Sequence, residues 1–165
     1  MITDLYFKAS LGKTALVITI AITVLFASII LLPFLISPYR VNGITLTISV
    51  FLLLIYLLTF FLRPSGYRLT STQLIITRPS TNITINKTEI RNVQLIEPSE
   101  INGSIRTFGS GGLFGYFGKF ANRTFGTMTW YATRQDNIVL IKTVSGKTII
   151  ITPDEPALFV AQFHK

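Results

Sequence analysis

Two long apolar runs lie in the N-terminal third of the chain. Residues 14–36 and 41–62 contain no charged side chain, and only residues 37–40 separate them. At about 1.5 Å per helical residue, each run reaches roughly 33 to 35 Å, which is enough to cross a hydrocarbon core of about 30 Å. The pattern therefore predicts a transmembrane hairpin with spans at 14–36 and 41–62.

The charges around the two spans predict their orientation. The cations that flank the outer ends of the hairpin are Lys8, Lys13, Arg63, Arg68 and Arg78. Only Arg40 lies in the connection between the spans. Because Lys and Arg are retained on the cytoplasmic side, we expect a two-span protein of the cell membrane with both termini in the cytoplasm. Residues 1–13 are predicted to form a short N-terminal tail on that side.

Small side chains recur along one face of the first span. Ala15, Thr19, Thr23 and Ala27 are spaced four residues apart. Such a face lets two helices approach closely, and its hydroxyl groups can bond across the contact. We expect this face to pack within the hairpin, in preference to lining a pore or a substrate path. Neither span contains an ionisable residue, so an intramembrane proton relay has no candidate there.

After residue 62 the hydrophobic pattern changes from helical to alternating. The linker Arg63-Pro64-Ser65-Gly66 extends at most about 14 Å, which holds the following domain close to the membrane. Alternating segments separated by polar turns predict about seven strands. They lie at 67–70, 73–78, 82–86, 89–95, 127–134, 137–143 and 147–152.

The C-terminal segment carries the signals of a short helix. Thr152-Pro153-Asp154-Glu155 combines a possible Thr cap with Pro in the first turn and Glu three residues on. Leu158, Phe159 and Phe163 then form an apolar face. The expected fold is a two-helix transmembrane hairpin followed by a mainly β barrel at 67–165 that this helix closes.

The water-facing part of the chain is moderately basic. From Pro64 onward there are eleven Lys or Arg against six Asp or Glu. Near a bilayer, such an excess indicates anionic lipid head groups as partners more than nucleic acid, and we expect no nucleic-acid partner. A solvated surface with a mild charge bias explains the same excess.

A glycine- and phenylalanine-rich block between Phe108 and Phe125 is the most unusual stretch of the domain. It is not a phosphate-binding loop, because Gly118-Lys119 is followed by Phe120 and not by Ser or Thr. Glycine permits bent backbone, and the aromatic rings prefer to lose water. One interpretation is a bulged structural segment; the other is a loop that dips into the membrane or binds a partner.

The second interpretation gives a candidate interaction loop. Its residues are Arg106, Phe114, Phe117, Lys119, Phe120 and Arg123. We expect Phe108 and Phe125, at the ends of the block, to lie in the core. At least one of Phe114, Phe117 and Phe120 should then be largely exposed.

Residues suited to catalysis or metal binding are scarce. The chain has no cysteine, and its single histidine, His164, is next to last. Glu97 and Glu100 lie close together around Pro98, but no histidine or further carboxylate accompanies them. A metal site or an acid/base pair needs more ligands or partners than these. We therefore expect no cofactor and no enzymatic activity.

Four segments resemble the bacterial PH-domain family: 67–76, the block at 106–120, 130–134, and 152–156 with Phe159. The resemblance covers roughly residues 66–163. It implies a pleckstrin-homology-like barrel with a binding or scaffolding role, in a family whose domain often follows membrane spans. The basic cluster that lets many eukaryotic PH domains hold phosphoinositides has no counterpart, since the turn Thr70-Ser71-Thr72 is uncharged.

Two functions are compatible with these features. In the first, the protein is a membrane-anchored interaction module whose domain binds a protein partner, a second copy of itself or anionic lipid at the cytoplasmic face. In the second, it is an accessory subunit of a membrane transporter or membrane enzyme and docks through its hairpin.

Overall fold

The computed structural model describes residues 4–36 and 42–163. The two predicted helices are present as α1 (Lys13–Ile36) and α2 (Gly43–Leu62), and both are long and apolar enough to cross a membrane. Only 6% of the most apolar stretch of each helix is buried, so both helices present apolar surface outward. The predicted connection at 37–40 and Val41 lie outside the described residues.

Several hydroxyl groups of the two helices have hydrogen-bond partners within the protein, whereas the buried Ser49 Oγ of α2 has none among the described residues. Thr23 and Tyr56 share a hydrogen bond of 2.9 Å between α1 and α2. Ser28, Thr47 and Thr59 each donate to the backbone carbonyl four residues earlier in their own helix. These bonded hydroxyls can therefore lie in an apolar surrounding without leaving a donor unpaired.

A domain of ten strands in two sheets accompanies these helices. The first sheet contains β1 (Leu5–Lys8), β2 (Gly66–Leu69), β3 (Gln73–Thr77) and β4 (Ile83–Asn86) in that order, all antiparallel. A 3-10 turn at Lys87–Glu89 leads from β4 into the second sheet.

The second sheet has six strands in the order β5-β9-β10-β8-β7-β6. Their bounds are β5 Ile90–Ile96, β6 Ile105–Gly112, β7 Gly115–Asn122, β8 Gly126–Ala132, β9 Ile138–Thr143 and β10 Thr148–Ile151. All neighbours are antiparallel except β8 and β10, which run parallel. The short helix α3 (Pro156–Ala161) ends the described chain.

The predicted barrel of about seven strands is not observed. The described strands form two sheets that do not close into a barrel. The seven predicted strands correspond to β2–β5 and β8–β10, whereas β1, β6 and β7 were not predicted. Glycines weaken the strand signal of β6 and β7. At Gly118, with φ of +117°, an added Cβ would lie 2.3 Å from the Phe108 carbonyl oxygen, so this strand pair requires glycine there.

Part of the predicted N-terminal tail, Leu5–Lys8, is a strand of the domain. Residues 1–13 were predicted to be a tail, but β1 pairs with β2, with Phe7 opposite Tyr67. Phe7 is buried and its ring packs edge-on against Phe159 at 5.1 Å. The strands that precede α1 and follow α2 are therefore neighbours, so the sheet holds both ends of the hairpin together.

The six-stranded sheet carries a buried core on each face. One face packs against the first sheet and α3 in a core that includes Tyr67, Leu74, Ile141 and Phe159. The opposite face carries a second core, in which Phe120 and Trp130 stack at 4.3 Å. The first turn of α1 and a 3-10 turn at Pro98–Ile101 supply residues to this second core.

Two sequence signals have different roles from those expected. Glu155, and not Thr152, precedes α3 as its N-cap residue, while Thr152 Oγ1 accepts a hydrogen bond of 3.0 Å from the Thr133 backbone N–H. Glu97 and Glu100 form a capping box around the 3-10 turn. Both carboxylates are therefore used in local structure.

Replacing Phe159 by Ala should lower the free energy of unfolding by about 3 to 5 kcal/mol, since the ring is fully buried between Phe7 and Tyr67. The measurement is denaturant unfolding of the full chain in detergent micelles, followed by Trp130 fluorescence. Leu158→Ala is the matched control, because Leu158 lies in the same helix and is half exposed. A loss below about 1 kcal/mol for Phe159→Ala would mean that α3 does not anchor the core.

Candidate binding site

The tip of the β6–β7 hairpin touches the two long helices. The Phe114 backbone N–H donates a hydrogen bond of 2.9 Å to the hydroxyl oxygen of Thr19 in α1. That hydroxyl in turn donates to the Ala15 carbonyl at 2.7 Å. Both Thr19 and Phe114 are buried, so the bond joins the domain to α1 away from water.

The side chain of Phe114 packs against α2. Its ring meets Tyr56 and Phe60 edge-on, at 5.1 and 5.4 Å between centroids. The Arg63 guanidinium lies 4.4 Å from the Phe60 centroid and 5.6 Å from that of Phe114. These distances are typical of favourable aromatic and cation–π contacts. Phe114 therefore contacts both helices, through its backbone on α1 and its ring on α2.

Close backbone approach makes this contact possible. At Gly112, with φ of +143°, an added Cβ would lie 2.7 Å from the Cδ1 atom of Ile18. Two further hydrogen bonds join the domain to the chain near the helix ends. The Gly12 N–H donates to the Thr133 carbonyl at 3.0 Å, and the Ser80 N–H donates to the Phe61 carbonyl at 3.1 Å. These contacts fix the position of the domain relative to α1 and α2, so that position does not depend on the linker alone.

A cleft of about 510 Å³ opens between the two sheets. It lies between β4 of the first sheet and β6, β7, β8 and β10 of the second. Apolar side chains on its wall are Leu62, Ile83, Ile85, Phe117, Tyr131 and Ile149. Because Leu62 is the last residue of α2, one end of the cleft lies at the end of the hairpin. The volume is within the range of roughly 300 to 1,000 Å³ that is usual for ligand pockets.

The rim of this intersheet cleft is predominantly cationic. Among the described residues that line it, Arg78, Lys119 and Lys147 are cations and Glu89 is the single carboxylate. Lys119 Nζ donates to the Thr129 hydroxyl at 2.8 Å, which directs the ammonium over the β8 side of the cleft. Burial raises the pKa of the Tyr131 phenol, and the nearby positive charge of Arg78 opposes that rise in part. The phenol therefore stays neutral at physiological pH.

The domain that carries the cleft matches a known protein family. Residues 65–165 match the model described as Bacterial PH domain. The chain belongs to the bacterial PH-domain family. No curated protein and no solved structure matches it. The resemblance drawn from the sequence is therefore confirmed, and the cleft lies in a PH-like domain, a kind of domain that suggests a binding module, which two apolar helices precede.

This bacterial PH domain reverses the expected exposure of the glycine- and phenylalanine-rich block. Phe114, Phe117 and Phe120 are all buried, and the expectation that one of them is exposed is wrong. Phe108, expected in the core, is 76% exposed, and Phe125 is half-buried against the second core. The cause is the β6–β7 pairing, which places alternate side chains on opposite faces of the sheet.

The predicted interaction residues of the PH domain do not form one loop. Phe117 and Lys119 line the intersheet cleft, Phe120 faces the second core and Phe114 contacts the helices. Arg106 and Arg123 are exposed and do not line the cleft. Sequence reasoning missed Arg78 and Lys147 as rim cations, because only the pairing of distant strands brings them near Lys119.

Metal binding has no cluster to support it in the described residues of the PH domain. Within 4–36 and 42–163, no three acidic or histidine side chains come together as a metal site, and His164 lies outside those ranges. What the cleft offers is an apolar wall with a cationic rim. That arrangement suits a ligand with an apolar part and a negative charge.

Replacing Phe114 by Ala should destabilise the full chain by about 3 to 5 kcal/mol, since a buried ring and its contacts with Tyr56 and Phe60 are lost. Phe108→Ala removes the same ring from an exposed position of the same hairpin and should cost less than about 1 kcal/mol. Denaturant unfolding in micelles measures both. Equal losses in the two variants would contradict the docking of the hairpin tip on the helices.

Proposed function

We propose that the protein is a membrane-anchored binding module. The hairpin α1–α2 crosses the bilayer, both termini and the PH-like domain lie on the cytoplasmic side, and the domain binds its ligand at the membrane surface. The observation that carries this proposal is the position of the intersheet cleft, which starts at Leu62 and is held there by Thr19 and Phe114. No catalytic step is assigned, since Glu97 and Glu100 serve as a capping box.

The surface of the helices supports membrane insertion. Large apolar side chains point outward along both of them, among them Val17, Val24, Phe51 and Leu58, each more than half exposed. Burying that area in lipid is strongly favourable, whereas leaving it in water would promote aggregation. Apart from the bond that Pro33 cannot donate near the end of α1, the helices satisfy their backbone groups internally, as a spanning segment must.

The distribution of cations supports the cytoplasmic assignment. Lys8, Arg63, Arg68 and Arg78 are all on the domain side of the helices. The positive-inside rule retains such residues in the cytoplasm. An inner leaflet rich in anionic lipid would then face the basic rim of the cleft.

A thiol-labelling experiment tests the orientation, because the chain has no cysteine of its own. Ser71→Cys places a thiol on the exposed β2–β3 turn of the domain, and Gly43→Cys places one at the start of α2, where an added Cβ has no packing neighbour within 4 Å among the described residues. We expect an impermeant maleimide to label position 43 in intact cells and to label position 71 only after lysis. The opposite pattern would place the domain outside the cell.

Photo-crosslinking tests which part of the protein binds. A benzophenone amino acid is placed in full-length chains at Phe108 beside the cleft, at Leu54 on the outer face of α2, or at Ser71 as a remote control. The proposed module should form adducts with membrane components from position 108 and none from position 71. Adducts with one membrane protein from position 54 alone would favour the accessory-subunit function and contradict the module.

A further inference from the structure

We infer that the intersheet cleft holds an acyl chain of an anionic phospholipid taken from the adjacent leaflet. This inference rests on the proposed function, since it names the ligand of the same site. It requires three properties together: an apolar interior, an entrance at membrane level, and positive charge where the head group would lie. Each of these properties is present in the cleft.

The interior suits a hydrocarbon chain. The buried part of the apolar wall is formed by Ile85, Phe117 and Ile149. The wall continues toward the opening with the partly buried Ile83 and Tyr131. Transfer of apolar surface from water into such a cleft is favourable by roughly 25 cal/mol per Å². The Tyr131 phenol, whose pKa burial raises further above physiological pH, adds no charge to this wall.

The entrance lies at the end of the hairpin. Leu62 closes α2 and is itself part of the cleft wall. The loop after β3 is pinned beside it by the hydrogen bond from the Ser80 N–H to the Phe61 carbonyl. A chain that leaves the leaflet along α2 therefore reaches the cleft without crossing bulk water. Phe108, exposed at the β6 side, extends the apolar path.

The charges select an anionic lipid. Arg78, Lys119 and Lys147 surround the opening against one carboxylate, Glu89. A phosphate or carboxylate at the rim would gain charge-assisted hydrogen bonds from these side chains. A neutral or zwitterionic lipid with the same chain lacks this net attraction. An extended apolar peptide is the alternative occupant, but it carries no negative charge to pair with the three cations at the rim.

Acyl-chain photolabelling of the full chain in vesicles tests this inference. The probe is phosphatidylglycerol with a diazirine in one acyl chain, diluted into phosphatidylcholine; the parallel sample carries the diazirine on phosphatidylcholine. We expect mass-spectrometric mapping to find labelled cleft residues of β7 and β8 with the anionic probe. Labelling of α1 and α2 by both probes shows that reconstitution succeeded.

Charge variants locate the site. Lys119→Gln with Lys147→Gln should reduce cleft labelling about tenfold or more, as removal of two head-group cations implies. Arg123→Gln with Lys142→Gln removes the same charge from exposed positions outside the cleft and should leave labelling unchanged. Thr129→Trp, which fills the cleft from β8, should also abolish it while helix labelling persists.

Three results would overturn the inference. They are labelled helices with an unlabelled cleft, equal cleft labelling by the anionic and zwitterionic probes, and equal loss in both pairs of charge variants. A protein adduct from position 108 combined with an unlabelled cleft would leave the binding module standing and assign the cleft to a peptide. The failure of the lipid assignment is thereby separated from the failure of the proposed function.

Discussion

The hydrogen bond from the Phe114 backbone to the Thr19 hydroxyl, with the packing of the Phe114 ring on α2, joins the two halves of the molecule. A buried N–H without a partner costs about 1 to 3 kcal/mol. Moving the tip of the β6–β7 hairpin away from Thr19 would carry that cost, so the tip stays bonded to α1. The Gly112 backbone fits against Ile18 only because it lacks a side chain. A domain joined by three linker residues alone would have no defined orientation; this contact gives it one.

That fixed orientation places the cleft beside the end of α2. The two sheets diverge instead of closing into a barrel, and the gap between β4 and the six-stranded sheet begins beside Leu62. The apolar wall, the end of α2 and the cationic rim are then in one place. Because β1 pairs with β2, the strands before α1 and after α2 are held side by side.

Local patterns predicted the regular part of the fold, and distant pairing decided the rest. Charge-free runs of helical length identified α1 and α2, and alternation identified β2–β5 and β8–β10. Glycines at 109, 111, 112, 115 and 118 concealed β6 and β7, because glycine is rare in strands. The tail strand β1 is only four residues long and gains its stability from Phe7 packing on Phe159. Lys119 was identified as a site residue, but its association with Arg78 and Lys147 depends on sheet register that no local pattern contains.

Amide hydrogen exchange at the hairpin tip tests most directly whether the domain is docked on the helices. In the full chain, the peptide containing Phe114 should exchange slowly, since its N–H is buried and bonded to Thr19. Thr19→Val removes the acceptor and should accelerate exchange at Phe114. Thr47→Val is the matched control, since Thr47 is exposed and bonds only to its own helix; it should leave that exchange unchanged. Rapid exchange of Phe114 in the unmodified protein, or equal rates in all three chains, would contradict a docked domain.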